Sequence, residues 1–125
     1  MNIDNMKSNL QLKNFYFSDY SFSRNKVIED GKFDINLQKE INVVQEHEYN
    51  VILTTTIEKE DMKLILTAQA DFLYESDDFS MEDAIINSNT IAIMFPFIRS
   101  QITLLTSQPG MTPIVLPAIN TQKFK

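Results

Sequence analysis

His47 is the one histidine of the chain, set in VQEHEYN between Glu46 and Glu48. Imidazole and carboxylate are metal ligands and proton carriers, so this triplet is the first place to look for chemistry. A metal site needs further strong ligands, and along a strand neighbouring side chains point to opposite faces. Both glutamates would then turn away from the imidazole, which leaves His47 as an exposed polar residue at a strand end. The second cluster is acidic: Asp77, Asp78, Glu82 and Asp83. It has the composition of a cation site or a carboxylate pair. Acidic side chains are also what the positive end of a helix dipole favours, and a helix is predicted to start there. The two glycines, Gly31 and Gly110, cannot build a phosphate-cradling loop. The lack of cysteine removes thiol nucleophiles, thiolate metal sites and disulfides. No catalytic residue, cofactor or metal is expected, and the chain reads as a binding protein rather than an enzyme.

Composition narrows the partners. At 125 residues the chain is expected to form a single domain, 1–125, that buries roughly 65% of its unfolded surface. A hydrophobic content of 43% with 22% charge is that of a folded globular chain. The net charge of −6 and the scattered lysines and arginines argue against nucleic acid, which demands a basic footprint. The opening MNIDNMKSNLQ has no apolar core of a secretory signal, so a cytoplasmic location is expected. The apolar run Ile91–Ile98 is far shorter than the ~20 residues of a membrane helix, so no membrane insertion is expected.

The elements that must position any site divide into two halves. The first half alternates in the period of strands. Leu10 and Leu12 share one parity, Phe15 and Phe17 the next, and Tyr16, Tyr20 and Phe22 the opposite one. The parity change predicts a bulge near Lys13–Asn14, and NFYF predicts a strand that is apolar on both faces. Lys26–Gly31 reads as a connection. KFDINLQKEINVVQE, EYNVILTTTIEKE and MKLILTAQADFLYE then read as three further strands, with Glu58–Asp61 as a turn between the last two. In the second half, Ser80 with Asp83 predicts the start of one helix, and Asn89–Thr90 the start of another through Ile91, Met94, Phe95, Ile98, Ile102 and Leu105. Pro96 is expected to open or kink that helix, and Gln108-Pro109-Gly110 to stop it. MTPIVLPAIN, with two prolines, reads as an extended tail. The fold class is α+β, a four-stranded antiparallel sheet followed by helices packed on one face.

Nine Phe and six Met exceed what one sheet–helix layer hides, given a two-faced first strand and an almost wholly apolar helix start. The surplus predicts self-association, an apolar groove, or both.

Three segments resemble the SecB export chaperones. FYFSDYSFS (Phe15–Ser23) is similar to that family's first-strand motif, IAIMFPFIRSQITLLTSQPG (Ile91–Gly110) to its main helix, and MTPIVLPAINTQKF (Met111–Phe124) to the extended segment that follows. The resemblance spans nearly the whole chain and implies a SecB-like fold. It implies ATP-independent holding of unfolded polypeptide, preproteins or an antitoxin, in apolar grooves beside a helix that packs in a homotetramer, a dimer of dimers. Client-groove or oligomer surface is then expected at Phe15, Phe17, Tyr20, Phe22, Met94, Phe95, Phe97 and Ile98. Asp19 matches the acidic patch with which the family docks the SecA motor. Its second acidic position is Ser23 here, and the sequence closes at Lys125, where typical members carry a final helix and acidic tail, so weak SecA docking is expected. Shorter relatives serve the antitoxin of a toxin–antitoxin pair. The alternative is a chain of the same fold acting as an adaptor or a binder of small apolar ligands.

Overall fold

A computed structural model describes residues 9–27 and 32–118. Part of the predicted connection Lys26–Gly31 and the end of the Met111–Phe124 motif lie outside those residues. The elements run β1 (Leu10–Arg24), β2 (Asp34–Gln45), β3 (Glu48–Glu58), β4 (Met62–Tyr74) and α1 (Glu82–Leu105). The sheet is antiparallel throughout, in the order β1-β4-β3-β2, so β1 and β2 form its two edges. The fold is the predicted one.

The two central strands alternate cleanly. Tyr49, Val51, Leu53 and Ile57 of β3, with Leu64, Leu66, Ala68, Ala70, Phe72 and Tyr74 of β4, point to the face beneath α1 and are buried. Ile86, Ile91, Met94, Phe95, Ile98 and Ile102 of the helix close over them. The spacing of those positions is that of one helix face, which is why this sequence forms a helix seated on a sheet.

The two predicted helices are one. Asn89 and Thr90 do not cap a second helix, because the nearby hydroxyls fold back onto the preceding turn. Ser88 Oγ donates to Ala84 O at 2.9 Å, and Thr90 Oγ1 to Ile86 O. Such back-bonding lets Ser and Thr sit inside a helix. Ser80 is not the N-cap either: Met81 holds that place without a side-chain cap, and Ser80 Oγ instead donates to Asp78 Oδ2 at 3.0 Å. Pro96 lies within the helix at an exposed position, and Ala92, whose carbonyl it leaves without an amide partner, is exposed as well. The stop signal acts as predicted. Thr106 caps α1, and Gly110 takes a left-handed φ of 72° that favours glycine.

Beyond the turn the chain runs extended along α1. Thr103 Oγ1 donates to Ile114 O and Ile114 N–H to Thr106 Oγ1, both at 2.8 Å, while Arg99 Nε donates to Leu116 O at 2.9 Å. These bonds replace a strand partner for the backbone and set Ile114 and Leu116 into the core. At the far end of β1, Arg24 pairs with buried Asp61 at 3.1 Å, and Asn25 N–H donates to Asp61 O.

Candidate functional site

Edge strand β1 carries a run of five aromatics, of which Tyr16 and Tyr20 are exposed and Phe15, Phe17 and Phe22 are partly buried. Its register against β4 breaks twice, between Leu12 and Asn14 and between Phe17 and Asp19. The first break is the predicted bulge. The second changes the reading of the strand, because one extra residue reverses the parity of everything after it. Phe15, Phe17, Tyr20 and Phe22 sit opposite Ala70, Ala68, Leu66 and Leu64, all buried on the face beneath the helix. The four aromatics therefore share one face, and the expected split between two faces is replaced by a single row. Of the NFYF aromatics, Tyr16 alone points outward, its hydroxyl donating to Gln69 Oε1 at 3.1 Å.

The row is half open. Phe15, Phe17 and Phe22 pack partly against the core, whereas Tyr20 keeps 45% of its surface exposed. Opposite Phe15 and Phe17 the alanines of β4 leave room for large rings. Phe17 meets Phe15 edge-on with centroids 5.3 Å apart, and Phe15 meets Phe97 of α1 at 4.8 Å. Phe97 is 49% exposed, and Ile93 and Leu104 lie at i−4 and i+7 on the same helix flank. Strand row and helix flank make one aromatic and aliphatic shelf. Met94, Phe95 and Ile98 do not reach it. They are at most 3% exposed and belong to the core, because they point straight down at the sheet.

The opposite sheet face is polar. Asp71 accepts from Asn14 Nδ2 and Asn50 Nδ2 at 3.3 and 3.0 Å, and Thr54 and Thr67 are linked across the strands. Asp19 pairs with Thr67 and Ser23 with Lys63 on this face, the Asp19 carboxylate accepting the Tyr20 N–H at 2.9 Å.

His47 is not an idle strand end. It occupies the β2–β3 turn with φ 63°, and its Nδ1–H donates to both oxygens of Glu82, at 2.8 and 3.0 Å. Phe79 stacks on the imidazole at 4.1 Å, and the Tyr49 hydroxyl donates to the same carboxylate. The hydrogen bond and charge of Glu82 hold the His47 pKa above its ordinary 6.5. Burial alone would raise Glu82, but the bonds from Tyr49 and His47 bring it below its ordinary value. Burial and the adjacent carboxylate push Tyr49 up to about 12. Two members of the acidic cluster, Asp78 and Glu82, thus have structural partners, one local and one long-range. Among the described residues no group of three such ligands is placed to hold a metal ion. Among the same residues no helix is long and apolar enough to cross a membrane.

The family described as preprotein translocase subunit SecB matches residues 4–124. The chain belongs to the SecB family. A SecB-like chaperone of Mycobacterium tuberculosis, solved with a peptide of the HigA1 antitoxin, matches with a TM-score of 0.74 at 12% identity, over 88% of this chain and 87% of that one. A protein of unknown function from Streptococcus agalactiae matches with a TM-score of 0.50 at 10% identity, over 87% and 97%. An uncharacterised protein of Methanocaldococcus jannaschii is 29% identical over 91% of this chain and 81% of its own length. Within the SecB fold, two of the three sequence segments that suggested the family fall in the aromatic edge strand and the helix, and residues 111–118 of the third run extended beside that helix. Family membership agrees with the non-enzymatic expectation.

Sequence reasoning missed two features of this SecB chain. One is the His47–Glu82–Tyr49 group, where the acid opens α1 as its first residue and has the type that a helix start favours in any case. The other is the apolar side of β2. Its alternation of Ile35, Leu37, Ile41 and Val43 was visible, but nothing in the pattern said that the helix would leave it partly bare.

Proposed function

We propose that this chain is a holdase chaperone that binds extended, unfolded polypeptide without ATP, and that it does so on the shelf formed by Phe15, Phe17, Tyr20, Phe22 and Phe97. The observation that carries the reading is the single-faced aromatic row on an edge strand, continued by an exposed helix flank and left half open by its own core. Apolar client side chains buried there would gain roughly 25 cal/mol per Å2. Rings held by partial packing lose little entropy on binding, and several weak contacts in series add through avidity. Such a surface holds a client without specifying its fold.

The shelf is also where a second copy would meet the first. A homotetramer, with β1 and the outer flank of α1 partly covered between copies, disposes of the apolar surplus that one chain leaves exposed. The antitoxin peptide on the mycobacterial relative favours an antitoxin as the client over general export. The sparse acidic character around Asp19, with Ser23 in the second position, supports the same preference, because a SecA contact works through summed carboxylates. The test is suppression of aggregation of a chemically unfolded protein at stoichiometric ratios, with and without ATP. Protection that is equal in both conditions and weakened by Phe97→Ala supports the reading; no protection at any ratio refutes it.

A further inference from the structure

From Ala84 to Gln122 the sequence holds a single charged residue, Arg99. Its Nε donates to Leu116 O at 2.9 Å, which ties the side chain to the extended segment and leaves the two terminal amino groups of the guanidinium to find other partners. Arg24, the other arginine of the chain, is paired with Asp61. Among the described residues no carboxylate lies within ion-pair distance of Arg99. Arg99 lines a cleft of about 470 Å3 between α1 and the extended segment, with Pro96, Ser100, Thr103, Val115 and Leu116. Pro96, Ser100 and Thr103 stand at i, i+4 and i+7, so the helix wall of this cleft is one face. We propose that the cleft binds a single-chain aliphatic carboxylate, its head group held by the Arg99 fork and its chain laid against Pro96 and Val115.

The inference is independent of the holdase reading. Small-ligand sites run to roughly 300–1,000 Å3, and this cleft falls within that range. Two terminal amino groups side by side in one plane match the two oxygens of a carboxylate. The bond to Leu116 already fixes that plane, so little side-chain freedom is lost on binding. Thr103 gives its hydroxyl to Ile114 O, whereas the Ser100 hydroxyl has no partner among the described residues and can add a donor. The apolar walls, with Val115 72% exposed, favour a hydrocarbon chain over a small hydrated anion. A phosphate group brings close to two charges near neutral pH, which one guanidinium with no lysine beside it does not match. A second copy fits less well too. Past Asp83 neither α1 nor the segment to Ala118 bears an acid, so packing these surfaces together would supply Arg99 with no carboxylate.

The probe is decanoate, kept below its micelle concentration near neutral pH and titrated into the full chain by calorimetry. Saturable binding is expected, with decanol weaker by about tenfold or more because the charge-assisted hydrogen bonds are lost. Affinity should fall by up to roughly fourfold for each methylene removed, from decanoate through octanoate to hexanoate. Arg99→Gln should bring decanoate down to the level of decanol. Lys63→Gln, which removes a cation from the opposite sheet face, should leave decanoate binding unchanged. Because Arg99 also anchors Leu116, a second variant spares that tie. Val115→Glu, at a position exposed in the wild type, sets a carboxylate in the cleft and should exclude the probe from a chain that melts as the wild type does. Decanol bound as tightly as decanoate, or decanoate bound equally well by Arg99→Gln or by Val115→Glu, overturns the proposal. Failure of the wild type to bind decanoate overturns it as well, and if Val115→Glu then reduces the assembly, a second copy is the occupant.

Discussion

At the scale of residues, the His47–Glu82 contact ties the β2–β3 turn to the first turn of α1, and it makes stability depend on pH in a defined direction. His47 has a folded pKa above 6.5. Its contribution is therefore fully present below about pH 6.5 and is lost as pH rises through the folded value. Glu82 has a folded pKa below 4.5, so its contribution is present above that value and is lost as pH falls through the folded one. The pair should stabilise most between the two. Because His47 is the sole histidine, its ring resonances report this without ambiguity. Titration by NMR should give a pKa above the free value, and a lower one in Glu82→Gln than in the wild type. His47→Asn keeps a side chain that tolerates φ of 63° and should flatten the pH dependence of unfolding from about pH 6.5 upward. A wild-type His47 pKa at or below 6.5 would contradict the geometry. VQEHEYN showed little of this: Glu46 does not turn away as expected but comes within 3.3 Å of His47 Nε2, and the principal partner is a carboxylate 35 residues away. Periodicity reports which face a residue takes, not which distant group awaits it.

The elements divide the large apolar residues into two kinds with different consequences. Phe72 and Ile98 are sealed between sheet and helix, and truncating either to Ala should cost about 3–5 kcal/mol of stability. Phe97 and Tyr20 are roughly half exposed, so Phe97→Ala and Tyr20→Ala should change stability by about 1 kcal/mol or less. They should instead weaken client binding. Denaturant melts alongside binding titrations separate the two groups, and a Phe97→Ala chain that loses stability as Phe72→Ala does would place Phe97 in the core. The bulge at Ser18 is the device that keeps the row single-faced. Deleting Ser18 should turn Tyr20 and Phe22 toward the polar face, or force the strand to slip, and reduce client binding more than Tyr20→Ala alone. The strands, the helix stop at Gly110 and the bulge near Lys13 were readable because each follows from local chemistry. The second bulge was not. FSDYSF alternates plausibly in either register, and only pairing with β4 sets Tyr20 opposite Leu66. The same limit made two helices of one, since Asn89 and Thr90 carry the residue types of a cap, yet the Thr90 hydroxyl is spent on the Ile86 carbonyl of the preceding turn.

For the whole molecule, the apolar flank of α1 and the β1 row should bring chains together as a homotetramer, which light scattering coupled to gel filtration measures directly. A monomer mass at micromolar concentration would remove the assembly. On the polar sheet face, Ser23→Glu would add a carboxylate on the side of Asp19, and SecA affinity should rise from a low wild-type level while client holding is unchanged. Salt-resistant SecA binding by the wild type would instead favour an export role. The most direct measurement of the central claim compares wild type with the Phe15→Ala/Phe97→Ala double variant, both confirmed folded by melting, in suppressing aggregation of an unfolded protein without ATP. Protection by the wild type near one binding unit per client, lost in the double variant, is the predicted result. Undiminished protection by the double variant would contradict the assignment of the shelf as the site that holds the client.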